Sequence, residues 1–326
     1  MAEVRASYPR FKRAGGVPNI ELTDDDLEIL RHVHRHRFIR ADDLQRLLDH
    51  RSRDKLSRRL TWLYRNRYLD RPIAQIDRFT EGGSRSLVYG LDSAGARILK
   101  ERLGVRVGPT DWRARNRTYT RENLDHTLAT TEYMVGLELA CRANDDVRLI
   151  RLEEILEDAP EATRRSPFPG RWPVPVQWSL AKAEVHLAPD AIFGLRVERA
   201  GEPTRRSYVF LEVDRGTMTI APAKRVQESD AFLYRATILR KLLAYAESYR
   251  LALHVEHLGI PAARVLFLTT SLVRAEAMRR AAQGVVVGPL GLPAGLFLFA
   301  GETDRLSPFE MQWHDAAGKA APLILR

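Results

Sequence analysis

The stretch SRDKLSRRLTWLYRN at residues 52–66 decides the fold of the first third of the chain. Ser52 is a favourable helix N-cap. Leu56, Leu60 and Leu63 recur at helical spacing and form one apolar face. At about 100° per residue, basic and polar side chains point away from that face or lie at its edge. We predict a recognition helix here, whose DNA-contacting residues are Lys55, Arg58, Thr61, Trp62 and Arg65.

The flanking sequence predicts a winged helix-turn-helix around this helix. Thr23 with three following aspartates caps a first helix, which extends to His36. A short second helix, a hairpin and a fourth helix complete the pattern, and the glycines at the hairpin turn permit a tight turn. Arg78 and Arg85 flank that turn, as DNA-contacting residues of a wing would. The predicted ranges are 41–49 and 93–103 for the helices, 73–79 and 87–91 for the strands, and 81–85 for the turn.

The charge is distributed unevenly along the chain. Residues 1–120 hold 26 of the 52 Lys and Arg residues but only 16 of the 42 Asp and Glu, so the whole formal charge of +10 lies in this third. A basic segment joined to a neutral one is typical of a polyanion-binding module attached to a second domain. Such basic segments also occur in ribosomal and membrane-surface proteins, so it is the predicted winged helix that makes double-stranded DNA the expected partner. A protein-interaction module with a solvated basic face is the alternative.

We predict four segments along the chain. They are a mobile basic arm (1–19), a winged-helix DNA-binding domain (20–107), a linker rich in Gly, Pro and Arg (108–119) and an α/β domain (120–326). The chain has one cysteine, Cys141, and no apolar stretch long enough to span a bilayer, so we expect no membrane association and a cytoplasmic location.

The second domain alternates helices and strands, which predicts an α+β chain overall. We expect a helix at 121–143, strands at 147–152, 184–187, 191–197, 208–213, 264–269 and 296–299, and helices at 230–257 and 272–283. Residues 158–178 contain five prolines and are expected to form a surface excursion.

Three carboxylates are expected to meet at one edge of this sheet. Asp190 lies between two strand segments, and Glu212 and Asp214 share a face at the end of the next strand. Such a group can bind Mg²⁺ or Mn²⁺ for phosphodiester hydrolysis. Alternatively, Asp190 is a turn residue, and the other two acids pair with nearby arginines: Arg196, Arg206 or Arg215.

Sequence strings from both domains resemble the replication-relaxation family of plasmids and integrative elements. The C-terminal string is Pro189-Asp190-Ala191, then residues 210–217 (FLEVDRGT), then 241–245 (KLLAY). The N-terminal signals are Leu22-Thr23, Ile29-Leu30, Arg58-Arg59-Leu60, residues 90–92 (GLD), Gly95-Ala96 and His126. The resemblance implies a winged-helix protein with a role in replication, DNA relaxation or element transfer, and it makes His126 a candidate site residue ahead of His186.

The second domain is also similar to the PD-(D/E)xK nuclease fold, which implies a restriction-endonuclease-like domain with a central mixed sheet. That pattern assigns the metal-binding acids to Asp190 and Glu212. The motif lysine is replaced by Asp214, so the resemblance implies that Lys241, or less favourably Lys224, supplies the positive charge. Asp190, Glu212, Asp214, Lys241 and His126 are thus the candidate catalytic residues, with Mg²⁺ or Mn²⁺ as the cofactor. Without such a charge, the domain would be an inactive relic.

Three functions remain open from the sequence. The first is a DNA-binding protein of a mobile element, a regulator or initiator accessory, whose second domain oligomerises or adds contacts. The second is a metal-dependent nuclease or nickase targeted by the winged helix. The third is a non-catalytic adaptor that recruits replication or transfer proteins. The helix predicted at 230–257 has enough apolar residues to form a homodimer interface for the first function, or these residues cover the sheet instead.

Overall fold

The computed structural model describes residues 10–13, 21–48, 52–76, 86–107, 111–179, 181–229, 231–302 and 307–324. The chain divides into two compact units, residues 1–135 and 136–326. The division falls inside a long helix and not in the segment 108–119 that the sequence suggested as a linker. Residues 112–117 of that segment are helical instead.

The first unit contains a helical group and a small antiparallel sheet. The strand order is β1-β3-β2, and both outer strands run antiparallel to β3. Its elements are α1 (Asp24–His36), β1 (Phe38–Arg40), α2 (Ala41–Leu47), α3 (Arg53–Arg65), β2 (Leu69–Asp70), β3 (Val88–Leu91), α4 (Ser93–Leu103), α5 (Trp112–Arg117) and the first part of α6 (Arg121–Arg142).

The helix boundaries follow from the caps that the sequence indicates. The backbone N–H of Lys55 donates to the Ser52 hydroxyl at 3.3 Å, and the N–H of Ser93 donates to the Asp92 carboxylate at 2.6 Å. The Thr23 hydroxyl donates to the Asp26 carboxylate at 2.9 Å. Each bond lies at a helix start, where backbone donors lack intrahelical acceptors.

The strand that we predicted at 73–79 is wrong for its described part. Ile73–Gln75 is a turn of 3-10 helix, and β3 pairs with β1 and β2 instead. The Gln75 side chain bonds both the N–H and the C=O of Val88, at 2.9 Å each. A side chain thus makes the hydrogen bonds that a paired strand would make. The predicted turn at 81–85, with Arg78 and Arg85, lies outside the described residues.

The second unit is built on a central mixed sheet of six strands in the order β11-β10-β9-β8-β7-β4. Strands β8, β9 and β10 are parallel, whereas β4, β7 and β11 run antiparallel to their neighbours. The unit contains β4 (Val147–Ile150), α7 (Leu152–Glu157), α8 (Glu161–Arg165), β5 (Trp172–Trp178), β6 (Ala181–Leu187), β7 (Ala191–Val197), β8 (Arg205–Asp214), α9 (Lys224–Gln227), α10 (Ile238–Arg250), α11 (Leu253–Leu258), β9 (Ala263–Thr269), α12 (Leu272–Ala281), α13 (Gly288–Leu290), β10 (Phe297–Gly301) and β11 (His314–Asp315). The chain is therefore α+β, as predicted.

A separate hairpin of β5 and β6 packs against α10. Its first strand corrects our expectation of an irregular excursion at 158–178. Trp172, Val174 and Val176 are buried on one face, while Pro173 and Pro175 point to the exposed face. Because proline lacks an N–H, these two residues occupy ladder positions that donate nothing to β6.

The single helix that we predicted at 230–257 is also wrong. The main helix, α10, begins at Ile238, where the Thr237 hydroxyl accepts from the backbone N–H of Arg240 at 3.1 Å. It ends at Arg250, and Ala252 has a positive φ of 55° before α11 begins. A left-handed residue interrupts the helical hydrogen-bond ladder, so the chain changes direction there. In the described part of the chain, no helix is both long and apolar enough to cross a membrane.

Candidate nucleic-acid interface and carboxylate cluster

Helix α3 is held by its apolar face and presents basic residues on the opposite side. Leu56, Leu60 and Leu63 are at most 2% exposed. Lys55 and Arg58, which the sequence assigned to DNA contacts, are exposed. This half of the helix is available to a polyanion.

The other predicted contact residues of α3 are less accessible. Trp62 is buried, with 9% of its surface exposed, and stacks on Tyr68 with the Arg59 guanidinium over its ring. Thr61 is half-buried, and its hydroxyl accepts from Arg71 at 3.0 Å. Arg65 is half-buried at the wall of a groove. Trp62 therefore supports α3 in this conformation and does not offer its ring to a ligand.

A groove of about 390 Å³ opens beside α3 and is lined by α2, α3 and β3. Among the described residues that line it, Asp42 is acidic and five are basic. The basic residues are Arg10, Lys12, Arg53, Arg65 and Arg71. Basic side chains around a concave surface attract the phosphates of a nucleic acid.

The second site lies where β7 begins and β8 ends. These strands are antiparallel with Ala191 opposite Leu211, so Asp190 lies beside Glu212. The Asp190 carboxylate accepts from the backbone N–H of Val213 at 2.8 Å, and the N–H of Asp190 donates to the carbonyl of Leu211 at 2.9 Å. Backbone pairing therefore fixes Asp190 at the strand edge.

Glu212 receives a hydrogen bond on each carboxylate oxygen. The Lys241 ammonium donates to Oε2, and the Tyr245 hydroxyl donates to Oε1 at 2.6 Å. Both donors lie on one face of α10, four residues apart, which places them on successive turns. Glu212 is 2% exposed, so these contacts compensate a buried charge.

The electrostatics of this cluster reflect close opposite and like charges. Burial and the neighbouring Asp190 raise the pKa of Glu212, although Lys241 and Tyr245 act in the opposite direction. Burial alone would lower the pKa of Lys241, but Glu212 and Asp190 raise it. Lys241 therefore stays protonated at neutral pH and supplies a positive charge between two acids.

Asp214 lies on the same face of β8 but has different partners. Its carboxylate accepts from the Thr269 hydroxyl at 2.6 Å and from two nitrogens of Arg274 at 2.5 and 3.0 Å. Arg274 forms an ion pair with Asp214, whereas Arg196 pairs with Glu198 and Arg215 with Glu302. Neither acid of β8 thus pairs with the arginines that the sequence suggested.

Lys224 and His186, the other candidates of the second unit, have different partners. Lys224 is exposed and pairs with Glu228 at 3.8 Å, so the structure favours Lys241 over Lys224 as the neighbour of Glu212. His126 lies on the part of α6 that belongs to the first unit. His186 lies on β6 near Glu184, at 3.7 Å.

Tyr245 and Arg274 complete the surroundings of the acids, and we did not predict either role. The Lys241 to Tyr245 spacing of four residues was a usable signal, because it places both side chains on one helix face. Arg274 is 60 residues from Asp214 in the chain, and only the parallel pairing of β8 with β9 brings Thr269 and α12 to that edge. No local pattern indicates that contact.

The donor set fits a hard divalent ion. Asp190 and Glu212 provide carboxylate oxygens from two adjacent strands, and Mg²⁺ is commonly bound by one or two carboxylates together with water. Burial is the main cause of the raised pKa of Glu212, and the neighbouring Asp190 adds to it. These are the two residues that would hold such an ion.

The chain thus combines an α+β fold with a basic groove in one unit and a carboxylate–lysine cluster in the other. The family model described as replication-relaxation matches residues 30–254, which is more than half of the chain. The chain belongs to the replication-relaxation family. Membership suggests a role in the replication or relaxation of plasmids or mobile elements. No curated protein and no solved structure matches the chain.

Proposed function

We propose that the first unit is a winged helix that binds double-stranded DNA through α3 and the adjoining groove. One observation carries this proposal: the exposed residues Lys55 and Arg58 lie on the helix that lines a groove rich in basic side chains. In this arrangement α3 lies in the major groove, and Lys55, Arg58 and the basic residues of the groove contact phosphates.

Binding of a labelled duplex over a series of salt concentrations tests this proposal. Each phosphate contact contributes a slope of roughly 0.9 to the logarithmic salt dependence. The Lys55→Ala/Arg58→Ala variant should bind more weakly and lose about 1.8 of that slope. Arg97→Ala is the matched control, because Arg97 is exposed on α4 and lies outside the groove. Equal slopes for the wild type and the double variant would contradict this binding surface.

A second candidate function is metal-dependent nicking or cleavage of DNA by a PD-(D/E)xK-like second unit. The contact between Lys241 and Glu212, with Asp190 alongside, favours it, because the motif lacks a lysine on β8. The positive charge comes from α10 instead. A bound divalent ion would polarise the phosphate and activate a water molecule. Asp190 and Glu212 would hold that ion, and Lys241 would stabilise negative charge beside it.

Incubation with supercoiled plasmid and Mg²⁺ or Mn²⁺ tests this activity. The wild type should produce open-circular or linear DNA, and Glu212→Gln or Asp190→Asn should abolish the product while duplex binding persists. Glu184→Gln is the control, since Glu184 is exposed on β6. If no metal-dependent product forms on any plasmid, the second unit does not cut DNA by itself. The adaptor or regulator function would then be favoured.

A further inference from the structure

We propose that Arg13 is a positioning residue that anchors residues 10–13 along the groove, so that Arg10 and Lys12 face the phosphates of bound DNA. This inference rests on the proposed DNA binding by the first unit. The sequence predicted a mobile arm over residues 1–19, whereas residues 10–13 are attached to the first unit.

The attachment of Arg13 uses several partners at once. Its guanidinium donates to the carboxylate of Asp92 at 2.5 Å, to the carboxylate of Asp70 at 3.2 Å and to the carbonyl of Leu69 at 3.1 Å. It also lies over the ring of Tyr64, with 4.8 Å between the guanidinium carbon and the ring centroid. These contacts reach β2, the N-cap of α4 and α3, so Arg13 is tied to the body of the unit.

A second arginine holds the arm from the other direction. Arg71 donates to the carbonyl of Arg10 at 2.7 Å, and it also donates to the Thr61 hydroxyl and the Tyr89 hydroxyl at 3.0 Å each. Arg71 is 6% exposed. The segment 10–13 is therefore held at one end through the backbone carbonyl of Arg10 and at the other through the side chain of Arg13.

The segment 10–13 contains one largely buried positive charge and two exposed ones. Two carboxylates neutralise Arg13, whose side chain is 14% exposed. Arg10 and Lys12 are exposed and line the groove beside α3. Fixing them in advance reduces the ordering that DNA binding would otherwise require. Arg13 thus acts on DNA through its neighbours and does not contact it.

A double-mutant cycle in the full-length protein tests this role. Arg10→Ala/Lys12→Ala should reduce the logarithmic salt slope of duplex binding by roughly 1.8, the value for two phosphate contacts. Arg13→Ala should give a comparable reduction, because the arm is released. The triple variant should show no further loss. Additive losses, or an unchanged slope in Arg13→Ala, would overturn the inference.

Two further measurements separate this inference from a general loss of stability and from the proposed function itself. Arg13→Lys keeps the charge but loses the planar guanidinium that lies over the Tyr64 ring, so it should show an intermediate slope. A slope equal to that of the wild type contradicts the anchor. Thermal unfolding without DNA reports whether each variant is folded. If the wild type does not bind duplex at all, the proposed function fails. If it binds and Lys55→Ala/Arg58→Ala weakens binding, a normal slope in Arg13→Ala refutes the anchor alone.

Discussion

The Lys241 ammonium on α10 donates a hydrogen bond to the buried carboxylate of Glu212 on β8, 29 residues away in the chain. The pair joins the helix to the central sheet and leaves Glu212 with no uncompensated charge. Removing one partner of a buried ion pair costs more than the pair itself contributes, because the other charge remains buried. This relationship gives the first test.

Lys241→Met should destabilise the second unit by about 3 kcal/mol, since Glu212 would keep its burial but lose its counter-charge. The midpoint of urea unfolding measures the change. Lys182→Met is the matched control because Lys182 is exposed on β6, and it should stay within about 0.5 kcal/mol of the wild type. Similar effects of the two substitutions would show that the ion pair contributes little.

Asp214→Asn tests the acid dependence of stability. Burial alone would raise the pKa of Asp214, but hydrogen bonds from Arg274 and Thr269 outweigh it and hold the pKa below its usual value of 3.8. A carboxylate whose pKa is lowered in the folded state contributes stability that is fully present above pH 3.8. This stability is lost as the pH falls through the pKa of the folded state. The stability difference between wild type and variant should therefore narrow below about pH 4. A constant difference from about pH 6 to about pH 3 would refute this account.

His257→Gln tests a second pH window. Burial lowers the pKa of His257, although its hydrogen bond to the carbonyl of Pro169, at 2.9 Å, acts in the opposite direction. The neutral imidazole therefore stabilises the fold above its usual pKa of 6.5, and this contribution is lost as pH falls below that value. Between about pH 7.5 and about pH 5.5, the melting temperature of the wild type should fall by more than that of the variant. Parallel decreases would exclude His257 as the titrating group.

Gly95→Ala should destabilise the first unit. A Cβ at this position on α4 would lie 2.2 Å from the carbonyl oxygen of Tyr68 and 2.9 Å from a Leu91 methyl, so backbone would have to move. We expect a loss of about 2 kcal/mol, measured by urea unfolding. Gly284→Ala is the control, because its Cβ would meet nothing within 4 Å. An unchanged Gly95→Ala variant would show that α4 and its neighbours shift at little cost.

Local sequence signals predicted much of the fold. The cap at Ser52 placed α3, and runs of apolar residues placed β7 and β8. We did not predict β5 because of the prolines at 173 and 175. Proline is tolerated in a strand where its missing N–H would not face a neighbouring strand. The alternation of Trp172, Val174 and Val176 with those prolines was the signal for a strand.

The candidate sites were predicted only as far as local chemistry allows. Asp190 and Glu212 could be expected to meet because adjacent strands bring them together, and the resemblance pointed to Lys241. The attachment of Arg13 to Asp92 spans 79 residues, and it depends on how β2 and α4 pack. Long-range contacts of this kind follow from topology, so composition and spacing do not reveal them.

The buried core of the first unit determines how short a fragment for binding studies can be. Leu124 and Leu128 of α6 pack with Phe38 and Val88 in one buried cluster. A fragment that stops at residue 107 would expose that cluster to solvent and is expected to aggregate or to be degraded during expression. A fragment that continues to residue 135 retains it. The choice of stop position therefore determines whether a negative binding result reports on DNA recognition or on a damaged core.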